Sequence, residues 1–199
     1  MSDNTLERIG HELEVVGYSL TSYDEIQADF NTAAVTELCE RVTRSEGSAK
    51  ALEVVEHIEK NDMTIVQDEI CMELGRHILL PAIKALFASH PEVLESWSLF
   101  GINRYAYGGK FGPHRDDVGA TVIVATMAGY RDFSLYKTNP DTPITGFDPE
   151  VEQTFRLGPG SLMILDAKKD PGHAVVDTPE ASIVAVADIP EAHLIRATK

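Results

Sequence analysis

This chain of 199 residues is short of cysteine, of tryptophan and of positive charge: two Cys, one Trp, and 17 basic residues against 32 acidic ones. Each shortage excludes something. Cys39 and Cys71 lie far apart, which gives neither a zinc-ligand spacing nor a disulfide framework, so a reducing cytoplasm is the expected compartment. A formal net charge of -15 argues against a general phosphate-binding surface, because nucleic-acid affinity is mostly a cation-to-phosphate term. No apolar run approaches the roughly 20 residues of a bilayer span, so no membrane partner is expected. The first residues show no basic stretch followed by an apolar one, the pattern of a secretory signal. Internal repeats, low-complexity tracts and a clear linker are also lacking. Residues 1–199 therefore read as a single domain.

The two halves differ. Residues 1–99 hold 19 acids and 7 bases, and residues 100–199 hold 13 and 10. Residues 1–97 read as helical. Leu6, Ile9, Leu13 and Val16 share one face of a first helix. Ser22 stands three residues before Glu25, a capping-box spacing that predicts a helix through Ile26, Phe30, Leu38 and Val42. Further amphipathic segments cover 49–59 and 65–89, the latter with Pro81 as an expected kink or break. Residues 98–199 change to short β-rich runs at 98–107, 121–127, 132–137, 153–157, 161–166, 174–176 and 182–188. Gly108-Gly109, Gly158-Pro159-Gly160 and Pro171-Gly172 punctuate them. Many short strands with such turns suggest a sandwich, barrel or jelly roll, with the first half as a helical support layer.

The chemistry concentrates between Asn103 and Asp117. His114 and Asp116 are two apart, and on a strand residues i and i+2 face the same side. His173 follows Pro171-Gly172 at the start of a later strand, where it can reach the same point. Two imidazoles and one carboxylate leave coordination positions open, the arrangement of non-haem Fe(II) oxygenases. Tyr107, Phe133 and Tyr136 are candidates for pocket or core.

These pieces together resemble the Fe(II)- and 2-oxoglutarate-dependent dioxygenases, with the AlkB-like branch nearest. The similar segments are Asn103-Arg104-Tyr105, the Gly-rich turn, His114-x-Asp116, the strand pair 122–136, Leu157-Gly-Pro-Gly160 and His173, over about residues 98–188. The resemblance implies an α+β fold with a mainly β core, a double-stranded β-helix or jelly roll buttressed by N-terminal helices. It implies that His114, Asp116 and His173 bind iron and that Asn103 and Tyr105 contact 2-oxoglutarate. Fe(II), 2-oxoglutarate and O2 would be the cofactor and cosubstrates. Succinate and CO2 would be released, and an aspartate at 116 favours hydroxylation of a C–H bond.

The family usually carries an arginine, often as Arg-x-Ser, on the strand after the distal histidine. It pairs with the far carboxylate of 2-oxoglutarate. Here Ser182 matches the serine, but Glu180 stands at the arginine position, where an acid would repel a carboxylate. A buried carboxylate needs a cation. Arg131, in Gly129-Tyr130-Arg131, is the candidate, since JmjC-like hydroxylases place a basic residue in a similar context. The expected substrate is a small molecule or a polypeptide side chain. Oxidative demethylation of an alkylated base, as in AlkB-like enzymes, is the alternative within the class. A non-catalytic jelly-roll sensor of metal or 2-oxo acid is the alternative outside it, kept open by Glu180.

Overall fold

The structure is a computed structural model and describes residues 3–45, 60–115, 121–136, 150–166, 169 and 172–190. Among the described residues, four helices lie in the first half: α1 (Asp3–Val16), α2 (Thr32–Arg44), α3 (Glu69–Leu86) and the short α4 (Val93–Ser96). Two strands lie among them, β1 (Tyr18–Ser22) and β2 (Lys60–Val66). Seven strands follow among the described residues: β3 (Ser98–His114), β4 (Thr121–Ala128), β5 (Arg131–Tyr136), β6 (Val151–Leu157), β7 (Ser161–Asp166), β8 (His173–Asp177) and β9 (Ser182–Ile189). Each run predicted in the second half falls on a strand among the described residues, with small shifts at most ends and with β3 running on from the predicted end at 107 to His114.

The helical reading of the first half needs three corrections. The capping-box bond after Ser22 forms, Glu25 N–H donating to Ser22 Oγ at 3.2 Å, yet only a turn follows. Gln27 turns left-handed (φ 54°), while Tyr23 and Ile26 are pinned in the core, Tyr23 Oη donating to the Ile78 carbonyl at 3.0 Å. The helix starts instead at α2, where Asn31 Oδ1 accepts from Ala34 N–H at 3.0 Å. Residues 65 and 66 belong to strand β2, because Met63 and Ile65 alternate into the barrel interior. The helix beyond them is capped by Asp68 at Cys71 N–H, 3.1 Å. Finally, Pro81 does not break α3. Ile78, Leu79, Ala82 and Ile83 around it are fully buried. Each large apolar side chain contributes about 1.5–3 kcal/mol, which outweighs about 3 kcal/mol for an internal proline. The segment predicted at 49–59 lies outside the described residues.

The strands form one antiparallel sheet in the order β1-β7-β4-β9-β3-β8-β5-β6, with β2 on the free side of β3. Strand β3 carries the design. Its first part pairs with β9 and its last part with β8, so it turns the corner between two facing layers. The Gly-rich stretch expected as a turn is instead a bulge inside β3, where Gly108 takes φ +72° and Gly108 N–H donates to Thr178 O. The two ends of the strand order meet again through side chains. Tyr18 Oη on β1 donates to Gln153 Oε1 on β6 at 3.0 Å, and Tyr18 packs edge-on to Phe155. The result is a flattened barrel, the jelly roll expected from the second half.

Alternation divides the sheet into two faces. Ile123, Ala125, Ala185 and Ala187 point outward and are covered by the helices, while Val122, Val124, Val184 and Phe133 point into the barrel. Gly129 closes the β4–β5 turn at φ +68°, and a Cβ there would stand 2.0 Å from the Ala181 carbonyl oxygen. Left-handed backbone and a clash with main chain act together. Gly129→Ala is expected to lower stability by about 3 kcal/mol, read from urea unfolding. A loss below about 1 kcal/mol would show that this turn can relax.

Candidate functional site

Register stacks the barrel interior in layers. One layer runs Tyr18, Leu165, Val122, Asp188, Ser98 around β1, β7, β4, β9 and β3. It continues as His114, His173, Leu135, Gln153 around β3, β8, β5 and β6. The Tyr18–Gln153 hydrogen bond joins the two runs into one ring. The two sequence-predicted histidines are therefore direct neighbours on paired strands, their ring centroids 4.3 Å apart.

Both rings are buried, and both are oriented by neighbours. His114 Nδ1 lies 2.8 Å from the Gly112 carbonyl. A carbonyl only accepts, so Nδ1 carries a proton, and in the neutral ring the lone pair belongs to Nε2. This is how a metal-ligating histidine is usually set. Phe111 packs against His114 at 4.2 Å, and Phe133 stacks on His173 at 5.3 Å. Asp116, the third expected ligand, lies outside the described residues. Among the described residues no group of three His, Cys, Asp or Glu gathers.

Two layers deeper the interior changes character. Arg131 starts β5 opposite Leu157, on the same face as Phe133 and Leu135, and is fully buried. Its Nη1 donates to Thr126 Oγ1 at 2.7 Å, while among the described residues Nε and Nη2 have no hydrogen-bond partner. Burial pulls the guanidinium down to about 10, with Tyr105 acting in the opposite direction, so it stays charged at neutral pH. A buried cation with open N–H donors is costly unless an anion comes to it. Asn103 is buried nearby in the register, opposite Val184, which itself pairs with Thr126, and its Oδ1 also has no partner among the described residues. Tyr105 lies one step further along β3, opposite Ser182.

The remaining expectations fall as follows. Ser182 faces the interior but donates its hydroxyl proton to Ala128 O at 3.0 Å, tying β9 to the end of β4. Glu180 is exposed in the turn before β9, so its charge sits in water and not against the interior. Tyr107 is 78% exposed on the β3 bulge and lines neither pocket nor core. Thr126 was missed by sequence reasoning. Its signal was a hydroxyl continuing the inward stripe of Val122 and Val124.

The donor set fits a metal held by imidazole nitrogens at one end and a dicarboxylic 2-oxo acid reaching toward Arg131 at the other. The orphaned guanidinium N–H groups are the observation that decides this fit.

Neither a protein-family model nor a curated protein sequence matches the chain. Solved structures do. A Pseudomonas putida prolyl-4-hydroxylase aligns with TM-score 0.56 at 13% identity, over 94% of this chain and 98% of that one. A prolyl hydroxylase from Trichoplax adhaerens, in complex with a hypoxia inducible factor peptide fragment, aligns with TM-score 0.60 at 11% identity, over 93% and 88%. HygX from Streptomyces hygroscopicus, with nickel and 2-oxoglutarate bound, aligns with TM-score 0.61 at 9% identity, over 92% and 86%. These likenesses do not single out the AlkB-like branch. The chain has the jelly-roll fold of the iron- and 2-oxoglutarate-dependent oxygenases.

Proposed function

We propose that the protein is an Fe(II)- and 2-oxoglutarate-dependent oxygenase that hydroxylates a C–H bond of a small molecule or a polypeptide side chain. One observation carries the reading. The barrel interior places a histidine pair in one layer and a buried arginine with open donors at the other end. His114 through Nε2, His173 and Asp116 would hold the metal. Arg131 would take the far carboxylate of the cosubstrate, with Thr126 fixing its orientation and Asn103 and Tyr105 lining the same end. Bound iron would supply oxidative decarboxylation of the 2-oxo acid with O2, giving succinate and CO2 and the oxidising power for hydroxylation. The apolar walls, Val124, Phe133 and Met163 among them, exclude water and strengthen each polar contact made inside.

The sensor alternative drew on Glu180. That residue points to solvent, and Arg131 offers the missing cation instead. The test is an anaerobic titration of the protein with Fe(II) and 2-oxoglutarate, followed in the visible. A charge-transfer band is expected, and under O2 the loaded protein should release succinate. Iron binding without a band would overturn 2-oxoglutarate as cosubstrate. Thr126→Val removes the acceptor that, among the described residues, orients Arg131. It is expected to raise KM for 2-oxoglutarate about tenfold with kcat nearly unchanged, the scale of one hydrogen bond to a charged group. An unchanged KM would show that Arg131 needs no such guide.

A further inference from the structure

The strand order has two ends, β1 and β6, and among the described residues no main-chain ladder joins them. Side chains join them instead, through the Tyr18–Gln153 hydrogen bond and the packing of Tyr18 on Phe155. A cleft of about 230 Å³ lies at this seam, lined also by Leu20 and, from α1, by Arg8 and Glu12. The two strands differ in cover. β1 is held by α1, the Leu20 carbonyl accepting from Arg8 Nη1 at 3.3 Å. On β6, Glu152, Gln153 and Thr154 are exposed, and β5 is its one strand partner among the described residues. Alternate residues of such an edge turn N–H and C=O groups away from the sheet, which makes it a template for another extended chain.

The side-chain pair at the seam is fixed in direction. Tyr18 Oη donates to Gln153 Oε1, which leaves the Gln153 Nε2 hydrogens as donors and the Tyr18 oxygen as an acceptor. A peptide group carries the complement of both. Burial, with the Glu152 and Glu12 carboxylates close by, pushes the Tyr18 phenol up, so it keeps its proton at neutral pH. The charge around the cleft is negative. Arg8 faces both Glu12 at 2.9 Å and Glu25 at 3.2 Å, and Glu152 meets no cation among the described residues. Arg156 on β6 is already answered by Asp132 at 2.8 Å. We propose that this seam receives the substrate as an extended polypeptide segment bearing basic residues, which pairs with the edge of β6 and sets one peptide group against Tyr18 Oη and Gln153 Nε2. That the bound chain is the substrate rests on the oxygenase reading. Gln153 stands opposite Leu135 and Leu135 opposite His173, so the seam is two strand spacings, about 10 Å, from the histidine pair. A long side chain spans most of that distance, so the carbon to be oxidised belongs to a side chain while the main chain stays at the edge. The cleft is smaller than the roughly 300–1,000 Å³ that encloses a small molecule, and it suits a chain lying across it. Main-chain pairing supplies the affinity, and the surplus of carboxylates selects the basic flanks.

The probe is a fluorescein-labelled peptide of about ten residues in which lysine and threonine alternate. It is added to the protein with Mn(II) and 2-oxoglutarate present, so that no turnover occurs, and binding is read by anisotropy. Two counterparts are measured beside it: a glutamate–threonine peptide, and the lysine–threonine peptide N-methylated at every residue, which keeps the charge and removes the main-chain donors. The basic peptide is expected to bind at least tenfold more tightly than either. Tyr18→Phe and Gln153→Leu should each weaken it roughly fivefold, the scale of a neutral hydrogen bond. Tyr18→Phe keeps its ring against Phe155, so a loss there is not a loss of packing. Peptide binding of this pattern in a protein that gives no charge-transfer band with Fe(II) and 2-oxoglutarate sinks the oxygenase reading alone and leaves the seam a peptide site. A normal band without the pattern overturns this inference alone. The overturning results are equal affinity for the basic and acidic peptides, equal affinity for the N-methylated peptide, which would make the attraction one of net charge, or unchanged affinity in both variants.

Discussion

Arg131→Met is expected to abolish stabilisation by 2-oxoglutarate and to leave the unliganded protein at least as stable as before. Both halves follow from one fact. Arg131 is fully buried, and among the described residues its Nε and Nη2 meet no acceptor. In the unliganded protein the guanidinium bears a desolvation cost that a single bond to Thr126 does not offset. An apolar side chain of similar length removes that cost, and such replacements commonly gain about 1–4 kcal/mol. The Thr126 hydroxyl then loses its donor, so Arg131→Met/Thr126→Val should be the more stable of the two variants. The liganded protein behaves in the opposite way. Losing the cation opposite a buried carboxylate costs about 2–5 kcal/mol of binding, or roughly 30-fold to several thousand-fold in affinity. At a cosubstrate concentration of about 100 Kd the unaltered protein gains about 2.7 kcal/mol, and the variant should gain almost nothing. Thermal unfolding with and without 2-oxoglutarate, with Mn(II) in place of iron to prevent turnover, reads both effects. A variant that unfolds several degrees earlier without ligand yet still responds to 2-oxoglutarate would make Arg131 a packing residue.

His114→Ala is expected to weaken Fe(II) or Mn(II) binding by more than about 100-fold, because loss of a mere outer partner of a ligating histidine already costs about 10- to 100-fold. A second effect is separable. The His114 ring packs against Phe111 at 4.2 Å and against His173 at 4.3 Å, so its removal opens a void in a buried layer. That is expected to cost about 2–3 kcal/mol of unliganded stability. His114→Gln fills more of the void and should recover part of the stability without restoring the metal. The decisive measurement is metal-induced protection in isothermal titration and thermal unfolding. If His114→Ala binds Mn(II) like the unaltered protein, the pair at 114 and 173 is a structural couple and the metal reading is lost.

The second half of the fold was legible because strand alternation and Gly/Pro punctuation are local signals. Val122, Val124 and Thr126 face one way and Ile123, Ala125 and Met127 the other, a period of two that short-range sequence displays directly. The first half was less legible. Ser22 and Glu25 form their capping bond without a helix, since burial of Tyr23 and Ile26 fixed a turn there. Ile65 reads equally well on a helix or a strand, and β2 was settled by its pairing with β3 across a gap of many residues.

By itself, the sequence determined the strand runs, the spacing of His114 and Asp116 and the distant His173. Only the tertiary structure decided which strands became neighbours. It set His114 opposite His173, brought the Tyr18 hydroxyl to Gln153 to close the ring, buried Arg131 beside Thr126 and placed Asp188 in the histidine layer. The physical reason is that a side chain's face is a local property of backbone geometry. Its partners depend on sheet register, which is fixed by burial of the whole interior and by the corner that β3 turns.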